Sequence, residues 1–402
     1  MKKRTLTYTY VLPRLMASLL IFAMVGCVSD DTDFSDIIND NEKVDVPDIE
    51  IDNTDLVEPT EIIDELDNDY VENSPFTNQV AIVYNGTTAT VSGDVDDVDV
   101  VISGAHVIID SYSKEVEYLV SGSSSNGSLK IYSSYKFQLT LAGLTLTNPE
   151  GAAINNQAGK HMYVVLAPGS VNTITDGEEY ASETSEDEKG AFFSEGQIVF
   201  SGTGELRVYG KHRHAIASDD YIIFRPGSKF YVNSTAGHGI KANDGIDIRG
   251  SVINAEVSFR GSKGINTDGY INVSGGRTTV ITTGQSIVEG NDTTSCAAMK
   301  CDSTFTITAG TLRLKSTGMG GKAINATKNI TIGGGDITAV TLGEKGIGAP
   351  KTIKSDEDII VSAGKLFSYS AYSKPLDADG SLVIGSGWTK YKKTERFVIL
   401  EY

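Results

Sequence analysis

The same short phrase is written several times in this chain. Residues 236–250 (Ala-Gly-His-Gly-Ile-Lys-Ala-Asn-Asp-Gly-Ile-Asp-Ile-Arg-Gly) and 262–276 (Ser-Lys-Gly-Ile-Asn-Thr-Asp-Gly-Tyr-Ile-Asn-Val-Ser-Gly-Gly) share one order: a small residue, an apolar anchor, a polar turn, an alternating strand, then Gly. Aligned on the anchor, the copies are Ile154, Phe192, Ile216, Ile240, Ile265, Met299, Ile324, Ile347 and Leu376, with steps of 38, 24, 24, 25, 34, 25, 23 and 29 residues. A period near 24 means a solenoid, in which each unit can bury its apolar face only against its neighbours. The longer steps place insertions at one corner.

Apolar residues recur six and eight positions after the anchor, as in Ile198/Phe200, Ile222/Phe224, Ile246/Ile248, Ile271/Val273, Phe305/Ile307 and Ile330/Ile332. A period of two is a strand with one face in. A third strand follows a Gly, as in Leu206-Arg-Val and Leu312-Arg-Leu. Three short strands per copy and no helical period describe one turn of a parallel β-helix. The class is therefore all-β, in a single domain of about 24 residues per coil. Residues 79–150 read as an N-terminal cap and first coils, with a hairpin signal at Asn85-Gly86. The helix proper spans 151–385, and 386–402, with Trp388 and Tyr391, cover its open end.

Charge is unevenly spread. The whole chain carries -19, but residues 27–78 hold eighteen Asp and Glu against Lys43 alone. The folded part is nearly neutral, and no concentrated basic domain exists to displace counterions from a nucleic acid. So one-signed a stretch, low in aromatics, is expected to stay extended as a disordered linker. Before it, residues 1–26 have a basic start (Lys2, Lys3, Arg4) and an apolar run from Leu15, too short to span a bilayer; they read as a secretory signal. The signal ends Met24-Val25-Gly26-Cys27, which resembles a bacterial lipobox. The resemblance implies lipidation of Cys27 and anchoring in an outer membrane. The acidic residues 30–33 resemble a surface-export signal, so the protein is expected to face the cell exterior. Cys296 and Cys301, five residues apart, have no disulfide or zinc spacing and are expected to be unpaired.

In a solenoid, chemistry is read down columns. Two residues before the anchor stand His214, His238, Lys263, Lys322, Lys345 and Lys374. Like charges stacked at the inter-strand spacing repel by roughly 1 kcal/mol per pair in water, so the column suggests an anionic guest. Tyr221 and Tyr270 share a register five after the anchor, with Gly245 between, and can act as platforms for sugar rings. Asp219, Asp220, Asp244 and Asp268 sit at turn tips, where oxygen ligands can hold Ca²⁺, although Asp in such turns more commonly makes the turn itself. Insertions at 170–189 and 284–296 are placed to wall a groove beside the basic column.

Residues 151–154 (Gly-Ala-Ala-Ile), 164–177 (Val-Val-Leu-Ala-Pro-Gly-Ser-Val-Asn-Thr-Ile-Thr-Asp-Gly) and 202–208 (Gly-Thr-Gly-Glu-Leu-Arg-Val) carry a resemblance. Over roughly 115–385 the chain is similar to bacterial carbohydrate-binding β-helix proteins, typified by a cellulose- and pectin-binding, calcium-containing member whose fold is shared with pectate lyases. The resemblance implies a right-handed parallel β-helix that binds polysaccharide without established catalysis. The family writes Asp-Asp-Gly-Ile at the anchor, its expected calcium ligands, whereas this chain writes His238-Gly-Ile, Lys263-Gly-Ile and Lys322-Ala-Ile. Cations replace carboxylates there, which puts calcium in doubt and favours direct binding of an acidic, uronate-containing glycan. A uronate lyase and a passive surface adhesin are the alternative functions; no nucleophile, metal or phosphate motif marks an enzyme.

Overall fold

The anchors fall into register. Ile154, Phe192, Ile216, Ile240, Ile265, Met299 and Ile324 are direct partners in successive parallel strands, and all are fully buried. The computed structural model describes residues 43–54, 56, 61–93, 95–181 and 186–402; residues 1–26, expected to be a secretory signal, and Cys27, expected to be lipidated, lie outside them. The repeats wind into a parallel β-solenoid with three strands per turn. The first face is a 12-stranded sheet that contains the anchors, for example His214–Ser218, Ile240–Ala242 and Lys263–Thr267. The second face holds strands such as Tyr221–Phe224 and Gly245–Ile248, and the third holds strands such as Lys229–Ser234 and Arg277–Thr282. Second and third faces join in one 23-stranded sheet, because the long strand Phe137–Thr147 pairs with both.

Stacking identical positions fills the interior with matched side chains. Phe200 and Phe224 stack at 5.2 Å between ring centroids, and Phe230 meets both edge-on. The corner between the second and third faces explains its glycines. Gly202 has φ +89°, and a Cβ there would sit 2.2 Å from the Leu166 carbonyl oxygen of the turn below. Only Gly combines that dihedral with that approach.

One anchor was misread. Ile324 pairs with Ile353, not Ile347, and Ile353 pairs with Leu376. Ile347 is 47% exposed in an insertion between the strands Asp336–Thr341 and Lys351–Ser355. The insertion happened to place an apolar residue one period along. It shares the corner between third and first faces with the loops 176–189 and 283–296, so all three insertions border the first face. The second contains a small hairpin, Ile287–Glu289 with Asp292–Thr294. Cys296 and Cys301 are buried and unpaired, as the spacing implied.

Asn78–Asn85 and Thr88–Ser92 form the N-terminal hairpin, and Phe397–Glu401 runs antiparallel to Lys365–Ser370 at the other end. The acidic stretch is different from the free stalk its composition suggests. Residues 43–54 and 61–76 lie against the second and third faces as a strap with no strand of its own. Ile49 and Tyr70 are buried there. Composition alone could not show this, because the strap meets a row of cations spread over the solenoid and adds a few apolar contacts, such as Phe76 on Tyr163.

Candidate carbohydrate-binding face

The outer surface of the first face carries two parallel columns of cations. The column two before the anchor contains His214, His238, Lys263, Lys322 and Lys351. Ala297 stands between Lys263 and Lys322, and Lys351 takes the place expected for Lys345 because the anchor is Ile353. Lys345 lies in the corner insertion instead. The column one after the anchor alternates Lys241, Asn266, Lys300, Asn325 and Lys354.

Carboxylates answer the lysines of the second column, but in the first only those at its C-terminal end. Lys241 pairs with Asp268 and Lys300 with Asp302. Lys354 meets Asp379 at 2.7 Å and Asp356 at 3.1 Å. At the C-terminal end Lys351 and Lys374 share Asp377, the latter at 2.8 Å. Lys263 and Lys322 form no ion pair among the described residues. Lys263 is 7% exposed, and its ammonium donates only to the Gly261 carbonyl, at 2.7 Å. Burial, with the charge of Lys300 beside it, pushes the Lys263 ammonium down to about 8. Burial and neighbouring Lys351 push Lys322 down to about 8 as well. Two turns, about 10 Å, separate them.

The histidines are not part of that cationic array. His214 and His238 stack with centroids 4.7 Å apart and planes 3° from parallel. The Nδ1 of His214 accepts the His238 backbone N–H at 2.9 Å, and the Nδ1 of His238 accepts that of Lys263 at 3.1 Å. Each Nδ1 is thus unprotonated. Burial and nearby cations hold His214 down to about 4 and His238 well below its ordinary value. The imidazoles splice successive turns together, so the expectation that they carry charge is corrected.

The insertion at 176–189 walls the N-terminal part of this face. Asp176, fully buried, accepts the Lys211 N–H at 2.6 Å, the His212 N–H at 3.3 Å and the Tyr180 hydroxyl at 3.0 Å. The Tyr180 ring stacks on His212 at 4.6 Å. Behind this wall lies a groove of about 660 Å³ lined by residues that include Lys130, Asn155, Glu188, Lys189 and Arg213. The hairpin of the second insertion packs Ile287 against Gly261, two residues from Lys263. Both insertions therefore border the basic face, as their spacing suggested.

The aspartates proposed for calcium do not converge. Asp219 pairs with Lys189 at 2.5 Å, and Asp268 with Lys241. Asp220 accepts the Gln197 amide and the Tyr221 N–H, and burial and the charge of Asp244 raise its carboxyl. Asp187, Glu195 and Asp219 do come together, but the Lys189 ammonium pairs with two of them.

Tyr221 and Tyr270 occupy the expected register with Gly245 between them. The Tyr270 ring covers Gly245, where a Cβ would come within 2.6 Å of it. They lie on the second face, however, away from the lysines. Tyr221 donates to Asp69 of the strap at 2.6 Å and lies 2.7 Å from His161 Nε2.

Comparison with known proteins fits this picture. A family model for "carbohydrate-binding domain-containing protein" matches residues 103–289 and 261–395, which together exceed half the chain. The chain belongs to this carbohydrate-binding family. No curated protein matches it. Among solved structures it is similar to a polysaccharide lyase-like protein from C. thermocellum, at 20% identity and TM-score 0.45, over 77% of this chain and 98% of that one.

Proposed function

We propose that this family member is a non-catalytic, lipid-anchored protein of the outer cell surface that binds an acidic, uronate-containing polysaccharide on the first face of its solenoid. One observation carries the reading. On a face where other lysines have carboxylate partners, Lys263 and Lys322 have none among the described residues and are held near the edge of deprotonation. A glycan carboxylate would supply the missing partner and stabilise both ammonium groups. Lys351 extends the row, and the insertions at 176–189 and 283–296 confine a chain laid along it. The signal-like residues 1–26 and the lipobox-like Met24–Cys27 support the location.

The test is retention on affinity gels containing pectate, alginate or cellulose. Acidic gels are expected to retard the protein, and Lys263→Ala with Lys322→Ala to weaken retention at least 10-fold, since a charge-assisted hydrogen bond contributes about 1.5–3 kcal/mol. Unchanged retention in the double variant would rule the face out. New ultraviolet absorbance from unsaturated uronate on incubation would instead identify a lyase. Attachment of cells without glycan retention would identify an adhesin. Loss of membrane association in Cys27→Ala checks the anchor.

A further inference from the structure

The strap is laid over residues of the kind that bind sugars. Asp69 takes the Tyr221 hydroxyl and lies 3.4 Å from the Arg249 guanidinium. Glu72 takes both terminal nitrogens of Arg225, at 2.8 and 3.1 Å, and Glu61 approaches the same guanidinium at 2.9 Å. The Tyr70 ring lies against Arg225, 4.5 Å away. Farther along, Asp52 pairs with Arg277 at 3.2 Å and Asp48 with Lys315 at 2.7 Å. A linear, carboxylate-bearing chain thus runs from the second face onto the third, answering one cation after another over successive turns.

The row continues beyond the strap. Beside Asn53 an open groove of about 360 Å³ on the third face is lined by Arg207, Tyr209, Lys229, Tyr231 and Asn254. The Tyr209 and Tyr231 rings are 6.0 Å apart and tilted, and Arg207, 44% exposed, pairs with Glu205, which also lines the groove. Aromatic faces and guanidinium groups thus occur both under the strap and in the uncovered groove next to it.

We infer that the second and third faces form a second binding site for a linear polycarboxylate glycan, and that residues 48–54 and 61–72 are its internal occupant. The strap mimics the ligand: an extended backbone with carboxylates at intervals that meet Arg225, Arg249 and Arg277. Being tethered, it competes at an effective concentration in the millimolar range. A polyuronate must engage many subsites to displace it, starting from the open groove.

The inference rests on the reading that the protein binds acidic polysaccharide, but it concerns different residues and is tested separately. The full chain carrying Lys263→Ala and Lys322→Ala serves as background, so that the first face does not contribute. Adding Asp52→Asn, Asp69→Asn and Glu72→Gln is expected to raise polygalacturonate affinity at least 10-fold, and further substitution of Arg225→Ala and Arg249→Ala to abolish that gain. A strap-neutralised protein with unchanged circular dichroism and no gain in affinity would overturn the inference. If neutralising the strap destabilises the solenoid, hydrogen exchange in the unsubstituted protein decides: polygalacturonate should deprotect residues 43–54 and 61–76, and unchanged protection there would overturn it. Insensitivity of binding to the lysine substitutions alone counts against the first face and leaves the strap result readable.

Discussion

At the residue scale, the lysines and histidines of the first face differ in what their protons report. Lys263 and Lys322 have folded-state values near 8, below their ordinary 10.5. A bound carboxylate favours the ammonium form, so binding above pH 8 draws in protons. Titration calorimetry at pH 8.5 in buffers of different ionisation enthalpy should show proton uptake; at pH 6, where both are already charged, uptake from these groups should vanish. Affinity should fall as pH rises through 8. The histidines act through stability instead. Their folded values lie below the unfolded 6.5, with His214 at about 4. Down to about 6.5 they cost nothing; as pH falls from there towards 4 the unfolded chain binds protons that the folded one refuses, and stability declines. A His214→Gln, His238→Gln variant should show a flatter fall in Tm over that window. The sequence disclosed the column but not the chemistry within it. Whether a His points its Nδ1 at a backbone N–H depends on the neighbouring turn, which no local pattern records.

At the element scale, the repeat was legible because one buried position per turn must stay apolar. Ile240 pairs with Ile216 below and Ile265 above, so Ile240→Ala opens a void in three turns and should cost about 2–5 kcal/mol, read from denaturant unfolding. The register failed only at Ile347, where an insertion supplied an exposed isoleucine at the right spacing; periodicity alone cannot separate an anchor from a coincidence of that kind. The lysines at the position after the anchor are hard to read as a column because asparagines alternate with them, Lys241, Asn266, Lys300, Asn325 and Lys354. Insertions were legible as excess length, and their attachment was not. Asp176 holds the 176–189 wall to residues 211–212, so Asp176→Ala should raise hydrogen exchange in residues 211–213 while the strands beside them stay protected.

At the scale of the whole molecule, the decisive arrangement joins parts of the chain that are far apart in sequence. Arg225 and Glu72 are separated by 153 positions and Lys315 and Asp48 by 267. Arg225 and Arg249 lie at one corner and Arg277 and Lys315 on the third face, so no single column contains them and reading down columns passed them by. Their partners sat in a segment whose composition spoke only of repulsion. That segment is cohesive on the solenoid because its charges are divided among separate cations. For Asp69, burial alone would raise the carboxyl, but hydrogen bonds from His161 and Tyr221 and the charge of Arg249 outweigh it and lower the value. For Glu72, burial is likewise outweighed by Arg225. Folded values below the unfolded ones mean that these contacts stabilise docking above the ordinary carboxylate range, and that the contribution shrinks below it and is lost only as pH falls on through the lowered folded values. The exposed pairs are also screened, with a Debye length of about 3 Å at 1 M salt. Limited proteolysis should therefore cut within residues 43–76 at about pH 2, below the lowered carboxyl values, or in molar salt, while residues 151–385 remain intact. A strap that stayed resistant under both conditions would be held by its buried Ile49 and Tyr70 rather than by its charges, and would be too firmly seated to be exchanged for a glycan.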